Sequence, residues 1–151
     1  MKRLFLALLG VAVVVSCAFM LAQSRSATGE GPRPPELKVT AGGAAIPVKL
    51  GSYCWYERGK GICADTFAPF EMFKDEQPVQ VRPGTVVTLS FARAPKEVGL
   101  NLWVDGQAVP ARLQEGYTFT VPDKPGIYVF SPHGQWPGRG DGSYAFQLQV
   151  P

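Results

Sequence analysis

Residues Ser143 to Val150 alternate apolar and polar with a period of two, and this pattern limits the fold more than any other feature of the chain. Tyr144, Phe146, Leu148 and Val150 fall on one face, and Gln147 and Gln149 on the other. A period of two belongs to a strand, whose successive side chains point to opposite sides. Val87, Leu89 and Phe91 repeat the pattern against Thr88 and Ser90. Shorter runs of the same kind lie at 37–40, 46–50, 79–81, 99–104, 107–112, 117–121 and 127–131.

Turn chemistry separates these runs. Asp105-Gly106 predicts a two-residue hairpin, because both of its central positions tolerate positive φ. Arg82-Pro83-Gly84 and residues 122–126 supply further proline-glycine turns. Residues 69–74 are the one stretch that reads as a helical turn. Short strands every eight to twelve residues or so, without long helices, predict an all-β antiparallel sandwich. The segment from Asp123 to Phe130 resembles the tyrosine corner of immunoglobulin-like domains, with Phe130 where the second cysteine would stand. The expected fold is therefore an immunoglobulin-like β-sandwich lacking the antibody-type inter-sheet bridge.

The N-terminus places that domain outside the cytoplasm. Lys2 and Arg3 precede an apolar run from Leu4 to Val15, and Val14-Val15-Ser16-Cys17 fits a lipobox. Three outcomes fit the pattern. Cys17 becomes a lipidated N-terminus; or residues 4–22 stay as a membrane helix, which needs roughly 20 apolar residues; or cleavage after Ser24 releases the chain. Each exports the remainder, so residues 1–24 are expected to be a signal peptide or anchor. Residues 25–35 are small, polar and proline-rich, and are expected to be a flexible linker. Residues 36–151 then form one domain.

The formal charge of +3 includes Lys2 and Arg3, while every acidic residue follows Ser24, so the exported part is close to neutral. Lys and Arg are scattered singly, which argues against a nucleic-acid partner.

Cys17 belongs to the lipobox, which leaves Cys54 and Cys63. Their spacing is too wide for a thioredoxin-like or zinc-knuckle pair, and Gly59 and Gly61 between them let the chain reverse. In an exported protein the expectation is a disulfide. Closing a loop of about ten residues contributes roughly 2–3 kcal/mol in the chain-entropy model. Free thiols, metal ligation and redox catalysis are the alternatives.

Gly51-Ser52-Tyr53-Cys54-Trp55, Cys63-Ala64-Asp65, Val81-Arg82-Pro83-Gly84, Pro125-Gly126-Ile127-Tyr128 and Tyr144-Ala145-Phe146 resemble segments of small exported lipoproteins of Gram-positive bacteria. The resemblance covers nearly all of the exported domain. It implies location and fold, and no activity.

No catalytic set stands out, and no cofactor is expected. His133 is the single histidine, and no GxSxG elbow accompanies it. One histidine also excludes a cupredoxin-type copper site within one chain. Cys54, Cys63, Asp65 and His133 have the ligand types for zinc, but export favours the disulfide. Arg139-Gly140-Asp141 spells an integrin-type tripeptide, here read as turn chemistry.

The aromatic residues carry the binding hypothesis. Tyr53, Trp55 and Tyr56 cluster at the first cysteine. His133 and Trp136 lie in residues 132–142, read as a long loop holding four glycines and two prolines. Trp55 in the core and Trp136 capping the sandwich end is one reading. An exposed platform of Tyr53, Trp55, His133, Trp136 and Arg139, with Gln135 nearby, is the other. The function expected is a membrane-tethered, non-enzymatic binding module for a cell-wall glycan, an exported protein or a protease. A structural subunit of a membrane complex and a redox protein using Cys54 and Cys63 are the alternatives.

Overall fold

The computed structural model describes residues 31–151, so the expected signal peptide or anchor, Cys17 and the first part of the expected linker lie outside the described residues. The described chain is a β-sandwich. Its strands are β1 (Leu37–Ala41), β2 (Ala44–Ile46), β3 (Lys49–Glu57), β4 (Lys60–Ala64), β5 (Val79–Gln80), β6 (Val86–Phe91), β7 (Glu97–Val104), β8 (Gln107–Ala111), β9 (Thr118–Thr120), β10 (Gly126–Trp136) and β11 (Gly140–Val150). One sheet runs β2-β1-β6-β9. The other runs β4-β3-β11-β10-β7-β8, with β5 added parallel to the far end of β11. Among the described residues no helix is long and apolar enough to cross a membrane.

The alternation that predicts strands also builds the core. Val39, Val87, Leu89 and Phe119 face inward from the smaller sheet, and Leu100, Phe130, Phe146 and Leu148 from the larger. Phe119 and Phe130 bridge the sheets with ring centroids 4.7 Å apart, and Phe130 stacks on Phe146 at 5.4 Å. Asp105 and Gly106 both hold positive φ and close the β7–β8 hairpin, as their residue types require. Arg58 and Gly59 do the same for β3–β4, where the glycines between the cysteines predict a reversal.

Cys54 and Cys63 sit directly opposite in that hairpin and are disulfide-bonded, with Cα atoms 4.0 Å apart. The bridge fastens the edge strand β4 to β3. An edge strand offers unpaired backbone groups to other chains, and this one is held by a covalent bond as well as its ladder.

The linker enters the domain earlier than its composition suggests. Pro34 is buried, and the Tyr144 hydroxyl donates to the Pro35 carbonyl. Burial pushes the Tyr144 phenol well above its usual range, so it stays a donor even at alkaline pH where an exposed tyrosine ionises.

Residues 132–142 form no long loop. His133 pairs with Gly99 on one side and Ser143 on the other, and Trp136 pairs with Gly140. The connection is only Pro137-Gly138-Arg139, closed by the Arg139 N–H bonding the Trp136 carbonyl at 2.9 Å. Proline then glycine at the centre, with Gly138 at φ 72°, fits a type II turn. Pro132 brings no N–H, and the β10–β11 ladder lapses at Ser131 and Pro132 before resuming in the same register.

Residues 65–78 leave β4 and cross the outer face of the larger sheet. The 3₁₀ turn Glu71–Phe73 agrees with the helical turn expected at 69–74. It drives Phe73 into a second small core with Val129 and Ala145. Lys49 fixes the crossing by donating to the Met72 carbonyl at 2.6 Å and pairing with Glu76. Gln147 donates to the Glu76 carbonyl at 3.0 Å.

Candidate functional site

Near the β10–β11 turn, the part of the outer face that residues 65–78 do not cover is polar and ordered by cross-strand register. Glu97 pairs with Gln135, Gln135 with Asp141, Asp141 with Cys54, and Cys54 with Cys63. Residues opposed in register share a face, so these five make one transverse row across β7, β10, β11, β3 and β4. The next row is Gly99, His133 and Ser143. The His133 ring lies over Gly99, occupying the space a side chain there would take. Tyr56, two residues beyond Cys54, is 55% exposed and lies over Gly61.

Glycine at 140 makes the row continuous. Its φ is 132°, and a Cβ there would fall 1.9 Å from the Cys54 carbonyl oxygen. Only glycine lets β11 approach β3 this closely. The integrin-type tripeptide is accordingly not a free loop tip. Gly140 and Asp141 belong to β11, and Arg139 sits in the turn, 3.5 Å from the Glu57 carboxylate.

A groove of about 390 Å³ opens beside the row, lined by Lys96, Glu97, Gln135, Trp136, Gly140 and Asp141 among others. Glu97, Gln135 and Asp141 are all exposed. The arrangement can hydrogen-bond a polar ligand.

The residues expected at the site are divided by the sheet. His133 faces outward and Arg139 marks the hairpin tip. Tyr53 is partly buried and packs against the core. Trp55 and Trp136 are 2% and 4% exposed, so the exposed platform is corrected to a core pair. Their rings meet edge to face at 5.4 Å. Trp136 Nε1 donates to the Arg93 carbonyl at 3.0 Å, whereas Trp55 Nε1 is buried without a partner. The physical reason is parity. Cys54 and Tyr56 point out, which turns Tyr53 and Trp55 in; His133 and Gln135 point out, which turns Trp136 in.

Cys54, Cys63, Asp65 and His133 do not gather into a ligand set. The cysteines are bonded to each other, and among the described residues no group of three or more His, Cys, Asp or Glu could hold a metal ion. A reactive thiol favours cationic surroundings; here the carboxylate-bearing Asp141 stands opposite Cys54.

Sequence reading alone did not single out Glu97, Gln135, Asp141 and Tyr56 as one surface. The signal available was the outward parity of His133 and Cys54, extended by two residues along each strand. Set against protein-family models, curated proteins and solved structures, the chain matches none.

Proposed function

We propose that the chain is a membrane-tethered, extracytoplasmic, non-enzymatic binding module whose outer sheet face holds a cell-wall glycan. The row Glu97–Gln135–Asp141 carries this reading. Carboxylates and an amide at strand spacing, about 4.8 Å apart, match the repeating hydroxyl and amide groups of an extended sugar chain. Tyr56 offers the ring face against which a sugar's C–H face packs. Loops and strand ends on a rigid scaffold are the usual carriers of binding residues.

The immunoglobulin-like assignment has two supports. Strands β1-β6-β9 facing β11-β10-β7-β8 parallel the A-B-E and G-F-C-C′ order of such domains. The Tyr128 hydroxyl donates to the Lys124 carbonyl at 2.8 Å, the back-bond of a tyrosine corner. Export rests on the basic start, the apolar run and the lipobox, together with the resemblance to Gram-positive lipoproteins.

Co-sedimentation of the purified full chain with cell-wall sacculi tests the ligand. Asp141→Ala is expected to weaken retention about tenfold or more, since a hydrogen bond to a charged group is worth roughly 1.5–3 kcal/mol, and Gln135→Ala by about three- to tenfold, since a neutral one is worth roughly 0.5–1.5 kcal/mol. Unchanged retention in both variants, with unchanged melting, moves the ligand off this face. Palmitate labelling of cells tests the anchor. Cys17→Ala is expected to abolish incorporation; label persisting in the variant rejects lipidation at Cys17.

A further inference from the structure

We infer that residues 65–78 form a second, separate docking surface, which binds a polypeptide segment carrying Lys or Arg beside apolar residues. Phe67 is 77% exposed and Phe70 is 40% exposed. Neither is left out by slack in the chain. Thr66 is pinned by its N–H bonding Ser52 Oγ at 3.0 Å, and the Ala68 carbonyl accepts from Glu71 at 2.9 Å. Phe73 already plugs the sheet beneath, so the fold does not need Phe67 for packing. Phe70 leans on Trp103 at 5.5 Å and extends the apolar surface onto β7. Exposed aromatic side chains on an anchored backbone are suited to become anchors in interfaces.

Charge selects the partner. Residues 65–78 contain Asp65, Glu71, Asp75 and Glu76 against the single cation Lys74. Lys49 neutralises Glu76, while Glu71 and Asp75 have no ion partner among the described residues. A cleft of about 400 Å³ lies here, lined by Phe67 and Met72, with the three carboxylates of Glu71, Asp75 and Glu76 outnumbering the cations of Lys49 and Lys74. The stem of a lysine or arginine can lie along Phe67 and Met72 while its head meets Glu71 and Asp75. The same carboxylates are repelled by an anionic lipid surface, which attracts basic segments instead. The surface is made of different residues from the Glu97–Gln135–Asp141 row and does not depend on the glycan reading.

Titration of the full chain with a peptide alternating lysine and leucine, against its glutamate–leucine counterpart, tests the inference. The lysine peptide is expected to bind at least about tenfold tighter than the counterpart, and Phe67→Ala to weaken it by about tenfold or more. Glu71→Gln with Asp75→Asn is expected to weaken it too and to flatten its salt dependence. Melting temperature should be unchanged in all variants. No binding of the lysine peptide, equal binding of the glutamate peptide, or an affinity indifferent to Phe67→Ala overturns the proposal. So does a Phe67→Ala effect confined to partition into anionic phospholipid vesicles, which would assign the surface to lipid.

Discussion

Phe146→Ala is expected to lower unfolding free energy by about 3–5 kcal/mol, the range for removing a buried phenylalanine. Domains of this size are stable by only about 5–15 kcal/mol in total, so the loss is a large share of the whole. Phe146 sits at the centre of β11, fully buried, stacked on Phe130 and 6.4 Å from Phe119 of the facing sheet. Truncation therefore opens a cavity between the two sheets at the point where they are joined by aromatic contacts. The neighbours that would have to collapse into it belong to paired strands, which limits relaxation and puts the cost in the upper part of the range. Phe146→Leu keeps most of the volume and should cost roughly half as much or less. Urea denaturation measures both. A midpoint for Phe146→Ala close to that of the parent chain would show that the sandwich does not depend on this contact.

The strands whose one face is apolar were legible from sequence. β6 and β11 display their alternation, and Asp105-Gly106 marks its hairpin. The far half of β10 was not legible, because its inward positions are Pro132, Gly134 and Trp136. Two of those three carry no hydrophobic alternation, and proline and glycine are punctuation in most chains. In the hairpin β3–β4 the reversal at Gly59 was legible, but its strands were hidden for a related reason. Its outward positions include Cys54 and Tyr56, which read as apolar, so the period of two is blurred. Gln147 points outward as its parity predicts, yet it is buried, because residues 65–78 return over it. No local pattern reports such a crossing. The candidate site shows the same divide. The cysteine pairing follows from residue type and expected export, whereas the outward place of His133 does not, because residues 132–142 read as a loop. The Glu97–Gln135–Asp141 row depends on register between strands up to about forty residues apart in sequence, and register is set by the whole sheet.

Trp136→Ala is expected to cost about 3–5 kcal/mol for its lost volume and contacts, which makes Trp136 a stability residue. Its ring meets Trp55 at 5.4 Å and Phe91 at 5.9 Å, and its indole N–H is spent on the Arg93 carbonyl. Phenylalanine substitutions separate packing from hydrogen bonding. Trp136→Phe removes the donor and leaves the Arg93 carbonyl without it, an added cost of about 1–3 kcal/mol where water cannot replace it. Trp55→Phe removes an N–H that has no partner, so only volume is lost and an unmet polar group leaves the core with it. Trp136→Phe should therefore be the more destabilising of the two by about 1 kcal/mol, although the two rings are equally buried. Thermal melts of the two variants under one set of conditions give the difference directly. The same variants separate core from ligand surface. Trp136 is among the residues that line the groove beside Gln135 and Asp141, but its ring is buried between the sheets, so Trp136→Phe should lower melting temperature while sacculus retention of the folded fraction holds. Retention lost without a change in melting would return Trp136 to the binding surface and contradict its place between the sheets.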